Sequence, residues 1–316
     1  MKSVAVFSFD AGGSALIAAI EEINSDKFRF FNFSQKRAPF ANILKNDKIT
    51  FIDSDEEVFM KLQQIQPNLI ITGTSWQTNM HDVFLRFGKE HSIPTVSFVD
   101  HWTSYKSRFE NHLPDYLATF DERSTTIAKK EGFENVVEIK NYHLQKLQRE
   151  YSTIKTKEKD QILFLSEPTF KVAQQRYGNG RHWGFDETDV FKEVLDFAKK
   201  QKMELLVRLH PSDTKTRYLE LVPNIRFSKN TLLEDIAASK FIVGIDTVAL
   251  YYAYSFGKKT VALMPTQKRK VVVPLPTSNI LSSLHSIKID NIQTLKMQSE
   301  KTNGIDFDDF VVKVLL

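Results

Sequence analysis

The sequence contains no cysteine. A disulfide framework, a thiolate metal site and a cysteine nucleophile are therefore excluded, and a reducing compartment such as the cytoplasm fits this composition. No stretch approaches the roughly 18 consecutive apolar residues of a membrane-spanning helix, so we expect no integral membrane segment. The apolar N-terminal stretch is interrupted by Asp10 and two glycines, and no signal-peptide cleavage site follows it. We therefore expect a cytoplasmic protein that begins with strand, loop and helix.

A strong excess of charge of either sign is also missing. The chain has 43 Lys and Arg residues against 39 Asp and Glu residues, and its lysines are spread along the predicted helices. This distribution does not indicate a nucleic-acid partner. The run Lys268, Arg269 and Lys270 leaves two interpretations open. It forms a solvated loop, or it touches anionic lipid or a polyanionic acceptor, as a protein peripheral at the inner face of the membrane would.

What the sequence does contain is a repeated alternation of short apolar runs and amphipathic stretches, which is typical of βα units on a parallel sheet. Its 316 residues exceed the usual size of one domain. The predicted strands are 4–9, 28–33, 49–53, 68–73, 95–100, 116–120 and 136–140, then 162–167, 205–210, 225–228, 241–245 and 260–264. We predict two Rossmann-like domains, 1–150 and 151–316, divided within a polar segment. A closing helix over 307–316 would pack back across the groove between them.

The loop between the first strand and the first helix is the first candidate for chemistry. It contains Asp10, Gly12 and Gly13. Adjacent glycines let the backbone approach a ligand, and the start of a helix offers free N–H groups to an anion or a hydroxyl. The alternative is a plain strand-to-helix turn capped by Asp10 and Ser14. Because ligands of parallel sheets bind outside the carboxyl ends of strands, the position favours function.

A second candidate follows the fifth predicted strand. Asp100 and His101 come at its end, and Trp102, Tyr105 and Arg108 follow within a few positions. An aromatic face beside a carboxylate and an imidazole is suited to binding a sugar acceptor. Alternatively, the imidazole and the indole anchor a surface loop on the core.

The densest group of polar residues lies in the second half. Arg208 and His210 end a strand, and a proline follows the histidine and stops the strand. Glu234 lies on the next amphipathic segment, and Asp246 and Thr247 open the helix after the strand 241–245. A helix N-terminus with a hydroxyl beside it is suited to binding phosphate. We therefore expect this half to bind a nucleotide-sugar through these five residues.

The segment 205–263 resembles the donor half of bacterial surface-polysaccharide glycosyltransferases, and sialyltransferase-like enzymes in particular. The resemblance lies in His-Pro after a strand, Glu-Asp on the next helix, and Gly-x-Asp-Thr before a helix that ends in Phe-Gly-Lys. It implies that His210 and Thr247 contact the phosphate of a CMP-sugar and that Glu234 lies near the nucleoside. Asp246 departs from the family pattern, which has a hydroxyl residue there.

The N-terminal segment VAVFSFDAGGSALI is similar to the opening of polysaccharide-biosynthesis proteins that carry an Asp-Ala-Gly-Gly loop. This similarity implies that Asp10 belongs to the acceptor side. Together the resemblances imply the GT-B fold, in which two parallel sheets face each other across a cleft that holds the active site. Architecture of this kind does not by itself establish function.

The expected activity is metal-independent transfer of a sugar from a nucleotide-sugar, CMP-linked in the first instance, to a glycan or glycolipid acceptor. Asp10 or Asp100 would deprotonate the acceptor hydroxyl, and His210, with Arg208, would stabilise the departing phosphate. This scheme requires neither a metal nor a further cofactor. Two other functions stay open: a non-hydrolysing sugar-nucleotide 2-epimerase, and a catalytically silent subunit that binds a nucleotide-sugar.

Overall fold

The computed structural model describes residues 1–36, 38–44, 49–75, 77–109, 111–295 and 304–315. The chain divides into two compact units. Unit 1 consists of Met1–Lys146 and Lys301–Leu316, and unit 2 consists of Leu147–Glu300. The C-terminal segment thus belongs to unit 1, whereas the division into 1–150 and 151–316 had assigned it to the second domain.

Unit 1 contains a parallel seven-stranded sheet in the order β3-β2-β1-β4-β5-β6-β7. Its strands are β1 (Lys2–Phe7), β2 (Phe28–Ser34), β3 (Ile49–Phe51), β4 (Leu69–Gly73), β5 (Thr95–Phe98), β6 (Tyr116–Thr119) and β7 (Val136–Glu138). Its helices are α1 (Ala11–Asn24), α2 (Pro39–Leu44), α3 (Asp55–Ile65), α4 (Met80–Glu90), α5 (Glu122–Lys130) and α12 (Phe307–Leu315), and α6 (Tyr142–Thr153) runs past its boundary.

The central strand β1 shows why this sheet has helices on both faces. Its residues 4–7 are all fully buried. Val4 packs on one face in a cluster that includes Ile17 of α1, while Phe7 packs on the other face against Phe84 of α4. A strand that is buried on both faces is apolar at consecutive positions, and this pattern made the parallel sheet predictable.

The C-terminal helix α12 packs into the core of unit 1. Phe307 and Phe310 are buried in the same cluster as Val4. The Tyr142 hydroxyl accepts a hydrogen bond from the Phe307 N–H and donates one to Asp306 Oδ1 at 2.8 Å. The apolar face of α12 therefore belongs to the first core. Its sequence pattern predicted an apolar contact but could not say which core would provide it.

Unit 2 contains a parallel six-stranded sheet in the order β10-β9-β8-β11-β12-β13. Its strands are β8 (Lys159–Leu165), β9 (Glu204–Arg208), β10 (Arg226–Phe227), β11 (Ser239–Gly244), β12 (Lys259–Leu263) and β13 (Ile280–Leu281). Its helices are α7 (Thr169–Tyr177), α8 (Glu187–Gln201), α9 (Thr216–Leu219), α10 (Leu232–Ala238) and α11 (Val248–Ser255). The two-residue strand β13 was not predicted.

The strand orders of both units are those of a Rossmann-like sheet. In unit 1, β1 lies between β2 and β4, and in unit 2, β8 lies between β9 and β11. The strand order thus reverses beside the first strand of each unit, and this is the point at which parallel α/β sheets bind ligands, outside the carboxyl ends of their strands. Among the helices in the described ranges, none is long and apolar enough to cross a bilayer.

Candidate functional site

Polar residues collect at the carboxyl ends of three adjacent strands in each unit. In unit 1, Asp10 follows β1, Ser75 follows β4 and Asp100 follows β5. In unit 2, the corresponding residues are Glu167 after β8, His210 after β9 and Asp246 after β11. Each set therefore lies at the crevice where parallel α/β sheets bind their ligands.

The Asp10 carboxylate is held by donors from the loop after β4. Asp10 occupies the N-cap position of α1, with φ −71° and ψ 147°. Its Oδ1 atom accepts hydrogen bonds from Ser75 Oγ at 3.1 Å and from Gln77 Nε2 at 3.3 Å. Both of these donors are neutral.

Asp100 is bound more tightly than Asp10. Its Oδ1 atom pairs with Arg108 Nη1 at 3.0 Å, and its Oδ2 atom accepts the Gly13 N–H at 3.0 Å. Arg108 is buried and also donates to Thr74 Oγ1 at 2.9 Å. Both carboxylate oxygens thus have a charged or helix-terminal donor. Arg108 and the start of α1 therefore fix the orientation of the Asp100 carboxylate.

The glycine predicted to approach a ligand instead approaches Asp100. A Cβ atom on Gly12 would lie 2.3 Å from Asp100 Oδ2, whereas one on Gly13 would have its nearest neighbour at 3.5 Å, the Gly73 Cα. The absence of a side chain at Gly12 thus leaves room for the Asp100 carboxylate, which the Gly13 N–H binds. That these glycines also let a ligand approach stays a prediction.

The aromatic residues after β5 belong to the core. Trp102 is 2% exposed and Tyr105 is fully buried. Trp102 Nε1 donates to Asp121 Oδ2 at 2.7 Å, and its ring packs edge-on against Phe120. The predicted sugar-binding platform is therefore wrong for these two side chains, because a ring packed in the core cannot stack on a sugar. Trp102 thus anchors the loop on the core, as the alternative interpretation had it for this residue and His101.

In unit 2, His210 is fixed by two hydrogen bonds. Its N–H donates to Ser166 Oγ at 2.9 Å, and its Nδ1 atom accepts the Ser212 N–H at 3.1 Å. Because a backbone N–H can only donate, the neutral ring carries its proton on Nε2. Burial lowers the pKa of His210, and Glu167 opposes this shift. His210 is therefore neutral at physiological pH and donates through Nε2–H.

Glu167 and Arg269 were not predicted, yet they form the centre of the polar cluster in unit 2. Arg269 Nη2 pairs with Glu167 Oε1 and lies 3.6 Å from Asp246 Oδ2. Glu167 Oε2 accepts the Asp246 N–H at 2.9 Å. The guanidinium also lies over the Trp183 ring, 5.0 Å from its centroid. The position of Glu167 at the end of the predicted strand 162–167 is the signal that could have revealed it.

Asp246 is buried and holds the segment after β12 in place. Its Oδ1 atom accepts the N–H groups of Val272 and Val273, at 2.8 and 3.1 Å. Burial, together with the negative charge of Glu167, raises the pKa of Asp246 to about 7. Near neutral pH, a substantial fraction of the molecules therefore carries a protonated Asp246.

The other predicted residues of unit 2 have local structural partners. Thr247 is the N-cap of α11, and its Oγ1 atom accepts the Ala249 N–H at 3.4 Å. Arg208 Nη1 pairs with the fully buried Asp235 at 2.7 Å. Glu234 is exposed and forms the capping box of α10. In the part of the chain that the structure describes, no group of three acidic or histidine side chains could hold a metal ion.

No family model and no curated protein matches the sequence. Solved structures do match the fold. The structure of S. aureus MnaA with UDP has a TM-score of 0.59 and 13% identity, covering 85% of this chain and 80% of its own. A UDP-N-acetylglucosamine 2-epimerase from Rickettsia bellii has a TM-score of 0.58 and 12% identity, with coverages of 84% and 80%. MurG of Acinetobacter baumannii has a TM-score of 0.51 and 10% identity, with coverages of 88% and 81%.

The fold is the GT-B type. The two Rossmann-like parallel sheets and these neighbours agree on it, and the predicted fold class is confirmed to that extent. At such low identities the similarity establishes the fold and leaves the activity open. The sialyltransferase-like part of the sequence resemblance has no counterpart among the three structures and stays a prediction.

Proposed function

We propose that this protein is a metal-independent glycosyltransferase that uses a nucleotide-sugar donor. The proposal rests first on one observation, the grouping of Glu167, His210 and Asp246 at the ends of adjacent strands beside the first strand of unit 2. This is where Rossmann-like sheets bind nucleotides. The GT-B fold supports the same class of ligand.

The donor's phosphate is assigned to His210 and Thr247. His210 offers its Nε2–H as a neutral donor, and Thr247 offers a hydroxyl at the N-terminus of α11, where the helix dipole favours an anion. Hydrogen bonds from these groups would strengthen as negative charge moves onto the departing phosphate. Glu234 is the proposed ribose ligand, on the strength of the sequence resemblance.

Charge supports a donor with a single phosphate. The buried cluster holds two carboxylates, Glu167 and Asp246, against one guanidinium, that of Arg269. A diphosphate would bring more negative charge close to those carboxylates than a phosphodiester does. We propose a CMP-linked donor, and, because the sequence resemblance implies it, one that carries a nonulosonate such as sialic acid. The proposed acceptor is a glycan or a lipid-linked glycan.

The proposed base is Asp10 of unit 1. Its carboxylate takes the proton of the acceptor hydroxyl while that oxygen bonds to the anomeric carbon of the donor sugar. The bond between the anomeric carbon and the phosphate oxygen breaks, and the nucleotide leaves with the electron pair. We assign this step to Asp10 and not to Asp100 because both carboxylate oxygens of Asp100 are held by the protein itself, one by Arg108 and one by the Gly13 N–H.

Thermal unfolding in the presence of CMP, CDP, UDP and GDP tests the donor assignment. A nucleotide that binds only the folded state raises Tm, and at equal concentration the tighter ligand gives the larger shift. We expect CMP to give the largest shift. UDP is a necessary comparison, since it is bound in the S. aureus MnaA structure. No shift with any of the four nucleotides would overturn the proposed nucleotide site.

Product analysis then distinguishes the three candidate functions. A transferase releases free nucleotide from its donor only when a glycan or lipid-linked glycan acceptor is added. An epimerase converts the nucleotide-sugar without an acceptor, and a silent subunit binds it without turnover. We expect release that depends on the acceptor.

A further inference from the structure

We infer that Asp100, held by Arg108, caps α1 in place of Asp10 and thereby positions the Asp10 carboxylate. Asp100 and Arg108 are then positioning residues. The functional part of this inference rests on the proposed function, because it concerns the base of that reaction. The exchange of caps is a structural property that can be tested separately.

An aspartate at the N-cap of a helix normally accepts an N–H of the first turn. Asp10 has the extended backbone conformation of an N-cap, but within α1, all of which is described, its side chain accepts no capping hydrogen bond. The third amide of the helix, that of Gly13, donates instead to Asp100 Oδ2, and Asp100 is 87 positions away in the sequence. The cap of α1 therefore comes from another strand end.

Arg108 holds Asp100, the residue that caps α1 instead of Asp10, in position. The side chains of Arg108 and Asp100 are 5% and 14% exposed, and their ion pair uses Asp100 Oδ1 while Oδ2 remains on Gly13. Arg108 is held in turn by Thr74 Oγ1, and its carbonyl oxygen accepts His81 Nε2–H at 2.8 Å. A buried arginine with this many partners has little freedom to move, so it keeps the carboxylate on the helix.

Gly12 makes this arrangement possible. Its hypothetical Cβ atom would lie 2.3 Å from Asp100 Oδ2, 3.0 Å from Cγ and 3.1 Å from Cβ of the same residue. Any side chain at position 12 therefore pushes Asp100 off the helix. Gly13 offers a matched comparison, because its Cβ would make only ordinary contacts, at 3.5 Å with Gly73 Cα and 3.8 Å with Ser8 Oγ.

The exchange changes where the Asp10 carboxylate lies. A carboxylate that caps its own helix is turned back onto the first turn. The Asp10 Oδ1 atom instead accepts hydrogen bonds from Ser75 Oγ and Gln77 Nε2 in the loop after β4. Asp100 on the helix thus keeps the Asp10 carboxylate at that loop, the position from which the proposed function has it act on a substrate hydroxyl.

The test compares Gly12→Ala, Asp100→Ala and Asp100→Asn, with Gly13→Ala as the matched control. Asparagine is itself a good N-cap, so its carbonyl oxygen can replace the carboxylate on the Gly13 N–H. We expect Gly12→Ala and Asp100→Ala to lower kcat at least roughly tenfold, as misplacing a base does, without changing the affinity for CMP. Asp100→Asn and Gly13→Ala should lose much less.

Two direct measurements accompany the kinetics. The backbone amide resonance of Gly13 should shift in Gly12→Ala and Asp100→Ala and stay close to its wild-type position in Asp100→Asn. Crystal structures of the first two variants should show the Asp10 carboxylate moved onto the first turn of α1. Asp100→Ala removes the carboxylate that compensates the buried Arg108 guanidinium, so this single variant can fail to fold. In that case the double variant Asp100→Ala/Arg108→Met takes its place.

The possible results separate the two claims. An Asp100→Asn enzyme as inactive as Asp100→Ala, with the Gly13 resonance still at its wild-type position, would mean that the cap is intact and Asp100 is the base, and would overturn the positioning role. An unmoved Asp10 in the Gly12→Ala structure would also overturn it. If no transferase activity exists at all, the proposed function fails, while the Gly13 resonance and the position of Asp10 still decide whether Asp100 replaces Asp10 as the cap.

Discussion

Arg269 and Glu167 form an ion pair at the carboxyl edge of the unit 2 sheet, and Asp246 lies against the same guanidinium. The side chains of Arg269 and Glu167 are only 18% and 17% exposed. Removal of the cation would leave two largely buried carboxylates facing each other. Such an uncompensated charge is costly in a way that the loss of a surface ion pair is not.

We therefore predict that Arg269→Met lowers the free energy of unfolding by about 3 kcal/mol, the cost of breaking a buried ion pair. Denaturation with urea, followed by circular dichroism, measures this change. Lys268→Met is the control, because Lys268 is exposed and its neighbour Arg269 is not. Equal effects of the two substitutions would mean that the ion pair contributes nothing to stability.

A second prediction concerns Asp246 and pH. Its pKa is raised to about 7 in the folded protein, whereas an aspartate in an unfolded chain titrates near 3.9. Between about pH 4 and pH 7, the folded state thus binds more protons at this site, and stability falls as the pH rises. The contribution of Asp246 to stability is fully present below the unfolded pKa and is lost as the pH rises through the folded pKa.

Asp246→Asn cannot titrate, so its stability relative to wild type should improve as the pH increases over that window. The slope should reach at most about 1.4 kcal/mol per pH unit. Urea denaturation of both proteins at several pH values measures it. A constant difference from pH 4 to pH 7 would contradict the raised pKa.

The fold was largely predictable because a strand buried on both faces leaves a run of apolar residues. Residues 4–7 and the other central strands show such runs, and they fixed the alternation of strand and helix. The strand Ile280–Leu281 has only two residues and leaves no recognisable pattern. The apolar face of α12 indicated burial without naming its partner, so this helix was assigned to the wrong unit.

The site was predictable where a polar residue directly follows a strand. This adjacency singled out Asp10, Asp100 and Asp246. The ion pair of Arg269 with Glu167 joins residues 102 positions apart. The sequence pattern of the basic run 268–270 is typical of a solvated loop. Only the structure shows that Arg269 is largely buried while Lys268 and Lys270 are exposed.

The prediction for His210 distinguishes two roles of its side chain in turnover, hydrogen bonding to the phosphate and transfer of a proton. His210→Ala should reduce turnover by roughly a hundredfold or more, which is the usual cost of losing a donor to developing charge. His210→Gln should recover part of that loss, because its side-chain amide N–H replaces Nε2–H. Steady-state kinetics of nucleotide release measures both variants.

The exposed His285 provides the control, and His285→Ala should leave turnover unchanged. Glutamine cannot pass on a proton, so a His210→Gln enzyme as slow as His210→Ala would assign general acid catalysis to the histidine. Wild-type turnover in His210→Ala would reject the donor-site assignment.

For Thr247, replacement by valine keeps the shape and removes the hydroxyl. Thr247→Val should weaken binding of CMP, measured by titration calorimetry, because the phosphate loses a donor at the start of α11. It should also lower stability by about 1 kcal/mol through loss of the N-cap. Thr247→Ser keeps the hydroxyl and should change neither property much. Unchanged affinity with reduced stability would make Thr247 a cap alone.

The prediction for Asp10 tests the base itself. Asp10→Asn keeps an oxygen that can accept from Ser75 and Gln77, so the fold and the affinity for CMP should be retained. The amide cannot accept the acceptor's proton, and kcat should fall roughly a hundredfold or more. The pH profile of kcat provides the decisive measurement, since the acidic limb of the wild-type enzyme reports the ionisation of the base. That limb should disappear in Asp10→Asn and persist in Asp100→Asn, where the capping oxygen remains and the base is untouched. An Asp10→Asn enzyme that retains a near-normal rate with an unchanged acidic limb would show that another group takes the proton.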